Sequence, residues 1–288
     1  MKTLGEVRAA TTSYFESVGI PSARLDAELI LAKVLGLQRV QVYAQFERLL
    51  TEPELADIRP LVKRRAGREP LAWVLGTKGF YEHDFEVRPG TLVPRPDTET
   101  LVELALAWIP ADADPVYVAD VGCGTGCVGL SVAAARPGVR LYALDLSETA
   151  RDTTTANVTK LGLETRVAVL RSDLLTAIPP ARPIDWVLSN PPYIPSADIP
   201  GLAPEVSRHE PRLALDGGAD GLDVVRRLVQ QAAARARAGV LLEIGAGQAQ
   251  ETARILAAAG FVDITVRADL GGVERVVAGR VATRGGGV

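Results

Sequence analysis

Val118-Ala119-Asp120-Val121-Gly122-Cys123-Gly124-Thr125-Gly126-Cys127-Val128-Gly129 is the stretch on which the fold turns. An apolar run ends in an acid, glycines recur through the next turn, and a helical pattern then resumes. That order is a strand, a tight turn and a helix. Glycine there admits positive φ or lets a ligand approach the backbone, and a helix start offers unsatisfied N–H groups. No Gly-x-x-x-x-Gly-Lys-Ser/Thr run is present, so a phosphate-cradling P-loop is disfavoured. Gly124, Gly126 and Gly129 do spell the Gly-x-Gly-x-x-Gly of dinucleotide binders, which keeps that reading open. Downstream, short apolar runs alternate with helical segments, the mark of a parallel sheet covered on both faces. Strands are predicted at residues 116–121, 140–145, 167–171, 185–189, 239–244, 264–268 and 275–278. Leu270-Gly271-Gly272-Val273, between the last two, is too short for a parallel crossover, so those two form an antiparallel hairpin at one edge. The fold class is α/β, a doubly wound, mostly parallel sheet of seven strands.

Upstream the pattern is helical, with apolar residues at three- and four-residue spacing. Thr3 with Glu6 and Thr51 with Glu54 have capping-box spacing, and Ser22 is placed to cap a helix that Gly36 would end. Phe80, Tyr81, Phe85 and Val87 flank Glu82-His83-Asp84 as a hairpin around a polar turn. Pro94-Arg95-Pro96-Asp97 then breaks the chain, and Asp97 or Thr98 caps the next helix. The expected organisation is a helical domain over residues 1–78, a hairpin linker over 79–96 and an α/β domain over 97–288. The tail Gly285-Gly286-Gly287 is expected to fray.

A chain of 288 residues fits roughly two domains at ~150 residues each. Lys plus Arg, 32, nearly balance Asp plus Glu, 35, which argues against attachment to nucleic acid through bulk positive charge. No apolar stretch approaches the ~18 residues of a membrane span. Met1 to Glu6 lacks the apolar core of a secretory signal, and the two cysteines, Cys123 and Cys127, make no disulfide framework. A reduced, cytoplasmic protein with no membrane association is expected.

Asp145 closes the second strand, where a carboxylate can accept both hydrogen bonds of a ribose diol; NAD and S-adenosylmethionine would use it alike. Asp120 discriminates between them. Its carboxylate suits a cationic methionine moiety and would repel a pyrophosphate. Asp173 and Leu174, after the third strand, are candidates for the adenine side. The decisive run is Ser189-Asn190-Pro191-Pro192-Tyr193 after the fourth strand. Ligands of open α/β sheets bind beyond the carboxyl ends of strands, so this run and the glycine loop should meet. Pro191 and Pro192 have no N–H and a fixed φ, so the chain there stays extended and presents bare carbonyl oxygens. With the Asn190 side-chain oxygen they form an acceptor cluster for an sp² NH₂, against which Tyr193 can lay its ring. Two acceptors gripping both N–H bonds aim a poor nucleophile and draw electron density toward it, without a strong base.

These residues resemble class I S-adenosylmethionine-dependent methyltransferases with a Rossmann-like fold that act on planar nitrogen. Leu92-Val93-Pro94-Arg95-Pro96-Asp97-Thr98-Glu99, the run from Glu210 to Leu222 and Leu242-Glu243-Ile244-Gly245 narrow the likeness to the bacterial release-factor glutamine N5-methyltransferases, over nearly the whole chain. The resemblance implies an N-terminal helical domain joined by a hairpin to the catalytic domain, both gripping a peptide chain release factor. It implies transfer of a methyl group to the glutamine side-chain nitrogen of a Gly-Gly-Gln loop. By position, Gly122, Cys123, Gly124, Thr125, Gly126, Asp145, Leu174 and Asn190 would hold the cofactor. Asn190, Pro191, Pro192 and Tyr193 would hold the glutamine, with Asn190, Pro191 and Tyr193 as the catalytic set. Leu174 stands where relatives often carry an aromatic residue near the adenine. The loop from Pro94 to Glu99 would shape the substrate entrance.

Plainer readings cover other residues. Cys123 and Cys127 lie far in sequence from His83 and His209, so packing suits them better than a metal. His83 is expected in a solvated turn. The run Lys63-Arg64-Arg65-Ala66-Gly67-Arg68 fits a helix's solvated end, with contact to a release factor or ribosomal RNA as the sharper alternative. A DNA, RNA or other protein amino-group N-methyltransferase would use Asn-Pro-Pro-Tyr equally well. Against it stand the missing target-recognition insert and basic excess, so no stable nucleic-acid binding is expected. An NAD oxidoreductase or nucleotide sensor leaves Asn190 to Tyr193 unexplained.

Overall fold

The capping boxes form as their spacing requires. In the computed structural model, which describes residues 2–112 and 115–282, Thr3 and Thr51 each accept the N–H three residues on, and Glu6 and Glu54 return to the Thr backbone. They open α1 (Leu4–Ser17) and α4 (Glu52–Ala66); between lie α2 (Ala23–Leu35) and α3 (Arg39–Ala44), and α5 (Leu71–Leu75) follows. Gly36 ends α2 in the left-handed conformation, but Ser22 makes no side-chain cap. The Gly285 to Gly287 tail lies outside the described residues.

The chain divides into two units, the first made of Met1–Thr77 with Ala203–His209 and the second of Lys78–Leu202 with Glu210–Val288. Leu4, Leu31, Leu50 and Ile58 form one apolar centre of the first unit, and Phe15, Ile30 and Val74 another. The basic run is not a solvated helix end. Arg65 is buried, with Nε donating to Asp26 Oδ2 at 2.6 Å and Nη1 to Glu205 Oε1 at 3.0 Å. Arg68 donates to the other Glu205 oxygen, and Arg64 pairs with Glu69. Buried arginine needs such partners, and these internal acids supply them.

A hairpin of β1 (Thr77–Phe80) and β2 (His83–Glu86) follows, which belongs to the second unit from Lys78 on. His83 lies in β2, not in the turn, with its ring edge-on to Phe85. A 3₁₀ turn (Pro96–Thr98) then leads into α6 (Glu99–Trp108). Neither Asp97 nor Thr98 caps α6. The sheet strands are β3 (Val116–Val121), β4 (Val139–Asp145), β5 (Val167–Arg171), β6 (Trp186–Ser189), β7 (Gly239–Glu243), β8 (Phe261–Ala268) and β9 (Glu274–Val281). Helices α7 (Cys127–Ala135), α8 (Glu148–Lys160), α9 (Pro204–Ser207), α10 (Asp223–Arg235) and α11 (Ala249–Ala258) lie between them in the chain, α9 belonging to the first unit.

The sheet order is β5-β4-β3-β6-β7-β9-β8, parallel from β5 through β7. The terminal hairpin is antiparallel, with β9 inserted between β7 and β8. Apolar cores cover both faces, one around Leu130, Leu141 and Trp186 and the other around Val187, Leu228 and Leu242. The chain reverses its winding direction between β3 and β6, so the carboxyl ends of those strands flank a crevice. Among the described residues no helix is long and apolar enough to cross a membrane.

Candidate functional site

At the end of β3, Asp120 is buried against α7 and its Oδ2 accepts the Gly129 N–H at 2.9 Å. A Cβ at residue 129 would stand 2.8 Å from Asp120 Oδ2, so the close approach requires glycine. Burial pushes the Asp120 carboxyl up to about 7, and the Asp145 charge acts in the same direction. The helix start is therefore less open than the sequence suggested. Asp120 takes one of its N–H groups, Gly122 and Cys123 donate to Leu144 O, and Gly124 donates to Asp145 Oδ2 at 2.9 Å. A pyrophosphate would meet a buried acid here. The turn keeps its shape through positive φ at Gly122, Gly124 and Gly126, and Asn157, wholly buried, ties Thr125 O to the β2 backbone.

Asp145 ends β4 with its other oxygen accepting the Ser147 N–H at 2.8 Å. Burial raises its pKa. Each carboxylate oxygen keeps a further lone pair, and the side chain lines the crevice. Leu174 lines the same wall in a left-handed conformation, its carbonyl accepting from Ser172 Oγ at 2.6 Å. Asp173 also reaches the wall, paired to Arg227.

Ser189 pairs in register with Val121 and donates its hydroxyl to Val121 O at 2.6 Å. Asn190 thus leaves the sheet beside the glycine loop: a Cβ on Gly122 would lie 4.0 Å from Asn190 O. The two motifs do meet. Asn190 Nδ2 donates to Thr98 Oγ1 at 3.2 Å, while Thr98 itself is helical in backbone at the end of the 3₁₀ turn that runs into α6, so it does not cap that helix. A carboxamide that gives its NH₂ to Thr98 turns its oxygen the other way. Asn190, Pro191 and Pro192 line the crevice, whereas the Tyr193 hydroxyl turns to Glu243 Oε1 at 3.3 Å.

The loop is braced from behind by the segment after Glu210. A Cβ at Gly217 would stand 2.7 Å from Pro192 O, and one at Gly221 2.2 Å from Tyr193 O, so only glycine lets that backbone come so close. Gln248 Nε2 also donates to Tyr193 O at 2.9 Å. Glu210, buried, accepts from the Val93 N–H and from Arg95, and Glu99 accepts the Tyr81 N–H. Sequence reasoning missed Thr98, Asn157, Glu243 and Gln248, whose roles depend on contacts distant in sequence. The Leu-Glu-Ile-Gly run held one signal: an acid closing an otherwise apolar strand.

One cavity of about 580 Å³ takes in Gly122 to Thr125, Asp120, Asp145, Leu174 and Asn190 to Pro192. That volume suits a nucleoside-sized ligand. Its arginines, Arg95, Arg212 and Arg227, are each paired to another acid. Asp120, buried, and Asp145, half-buried, make part of the lining acidic. Such a donor set fits a ligand with a ribose and a cationic tail, as S-adenosylmethionine has, better than one with a pyrophosphate. Cys123 and Cys127 are buried, with burial pushing the Cys127 thiol up to about 12. Among the described residues no group of three or more His, Cys, Asp or Glu is placed to hold a metal ion.

Two family descriptions match the chain, the PrmC N-terminal domain over residues 6–76 and the methyltransferase small domain over 102–201. A release factor glutamine methyltransferase of Geobacter sulfurreducens is 40% identical over 281 residues, 97% of each chain. The chain belongs to the release factor glutamine methyltransferase family. Another member, from Bradyrhizobium diazoefficiens, is 41% identical over 97% of this chain and 95% of its own. A solved T. thermophilus 16S rRNA methyltransferase in complex with AdoMet and guanosine has a TM-score of 0.53 at 18% identity, covering 71% of this chain and 49% of that one. That likeness shows the shared methyltransferase fold. The family also carries both halves of the chain, since its N-terminal domain description falls on the helical segment.

Proposed function

We propose that this protein transfers a methyl group from S-adenosylmethionine to the side-chain nitrogen, N5, of the glutamine in the Gly-Gly-Gln motif of peptide chain release factors. The observation that carries the reading is Asn190, tethered through its NH₂ to Thr98 and set beside Gly122 in the crevice that also holds Asp145. When bound, the cofactor supplies an electrophilic methyl on a sulfonium. Gly122, Cys123, Gly124, Thr125 and Gly126 would shape its seat, Leu174 would pack on its base, and Asp145 would accept from its ribose hydroxyls. Asp120 and Asp145 balance its positive charge. The Asn190 oxygen and the Pro191 carbonyl accept the two N–H bonds of the substrate amide. That grip fixes the nitrogen's direction and enriches its electron density; the N–CH₃ bond forms as the S–CH₃ bond breaks to leave a neutral thioether, and the now acidic N–H passes its proton through a gripping oxygen to solvent, so no strong base is needed. Pro192 keeps the backbone extended, and Tyr193, its hydroxyl held by Glu243, braces the loop.

Residues 1–78 recognise the release factor, residues 79–96 link, and residues 97–288 catalyse. The setting is the cytoplasm, where release factors act. Incubation with methyl-labelled cofactor, a purified release factor and, separately, DNA and RNA tests the reading. Label should enter the release factor, and replacing the Gly-Gly-Gln glutamine should abolish it. Label on nucleic acid alone would overturn the substrate assignment.

A further inference from the structure

Glu243 ends β7 with 1% of its surface exposed, and nothing in the proposed reaction uses it. One oxygen accepts from the Tyr193 hydroxyl at 3.3 Å, while Oε2 is buried with no completed hydrogen bond. The Thr98 hydroxyl is near enough to favour the ionised carboxylate, although it makes no hydrogen bond to it. Thr98 Oγ1 already accepts from Asn190, so its one hydrogen is left to give, and Glu243 Oε2 is a buried acceptor without a partner. An isolated buried carboxylate is costly, and this one has one hydroxyl bonded to it, Tyr193, and one free acceptor oxygen, both within the Asn-Pro-Pro-Tyr surroundings.

We propose that Glu243 is the positioning residue that sets the polarity of the substrate clamp. As an acceptor it turns the Thr98 hydrogen toward itself, which makes Thr98 an acceptor for the Asn190 NH₂ and leaves the Asn190 oxygen for the substrate. Its other oxygen fixes the Tyr193 ring. A hydrogen at the Glu243 end, from protonation or from an amide, can reverse the chain. Thr98 then gives its own hydrogen to Asn190, the carboxamide flips, and an NH₂ faces the NH₂ it should hold.

Burial holds the Glu243 carboxyl up near about 7, so the reversal falls within reach of neutral pH. The titratable and charged groups around it are Tyr193 after β6, Arg275 on β9, Asp97 in the turn before α6 and Cys127 on α7. Arg275 is itself engaged by Asp97 and Asp269. The inference rests on the methyl-transfer reading. Absence of transfer by the unmodified protein would sink that reading, whereas active variants would sink this inference alone.

The test measures kcat and KM for a release factor at saturating cofactor, cofactor affinity by calorimetry, and the pH profile of kcat, for Glu243→Gln, Thr98→Val and Thr98→Ser. Misdirecting a reacting group costs ~100-fold. The expected result is a kcat loss of that order in Glu243→Gln and Thr98→Val, with KM and cofactor affinity held. Thr98→Ser, which keeps the hydroxyl, should recover most of the turnover that Thr98→Val loses. The unmodified protein should lose kcat as pH falls through about 7, and Glu243→Gln should lack that limb. Turnover within twofold of the unmodified protein in either variant, an unchanged acid limb in Glu243→Gln, or matched losses in kcat, cofactor affinity and melting temperature would overturn it. Should Glu243→Gln fail to fold, the Thr98 pair decides by the same criteria.

Discussion

Replacing Asp120 with Asn should stabilise the chain in mild alkali and weaken its hold on the cofactor. The Asp120 carboxyl has an ordinary pKa of 3.8 and is raised to about 7 in the folded chain, chiefly by burial. The folded state therefore keeps its proton over a window in which the unfolded state has lost it. Stability is full below about 3.8, falls as pH rises toward about 7, and is level above that. At about 1.4 kcal/mol per tenfold change in proton affinity, the ionised side chain weakens the fold by ~4 kcal/mol. Asn cannot ionise. Its oxygen can still accept the Gly129 N–H, but its NH₂ needs a new acceptor, whose lack costs ~1–3 kcal/mol. The variant should thus be about 1–3 kcal/mol more stable than the unmodified chain near pH 8, and equal or less stable near pH 4. Urea denaturation followed by tryptophan fluorescence reads this, with Trp108 and Trp186 in the second unit and Trp73 in the first. Glu243 titrates in both proteins and cancels in the difference. A stability difference that is the same at both pH values would refute the reasoning.

Gly129→Ala should destabilise by ~1–3 kcal/mol, because a Cβ there collides with Asp120 and with Leu141 2.9 Å away, and cofactor affinity should fall with it; denaturation and calorimetry check both. Asp145→Ala should weaken cofactor binding at ~1–3 kcal/mol per lost charge-assisted hydrogen bond and leave kcat at saturation nearly intact, as a titration beside steady-state rates would show. Arg65→Met leaves Asp26 buried beside an apolar side chain and should cost ~3–5 kcal/mol in the helical unit, read from Trp73 fluorescence during denaturation.

Strand positions, capping boxes and the meeting of the glycine loop with Asn190 were legible because each follows from local pattern or from the rule that sites lie at strand ends. The insertion of β9 between β7 and β8 was not, since loop length fixes an antiparallel pair but not which partner lies inside. Ser22 and Thr98 looked alike as helix caps. Thr98 instead holds Asn190, a partner 92 residues away that no local rule foresees. The basic run looked solvated because its acids, Asp26 and Glu205, are remote in the chain. Glu243 was visible only as an acid closing a strand, and its meaning came from the hydroxyls that fold onto it.

The most direct test of the account is a crystal structure with S-adenosylhomocysteine and a release factor bearing the unmethylated glutamine. The account places the glutamine amide nitrogen between the Asn190 side-chain oxygen and the Pro191 carbonyl, on the side facing the cofactor sulfur. An amide bound elsewhere, or an Asn190 presenting its NH₂ to the substrate, would contradict it.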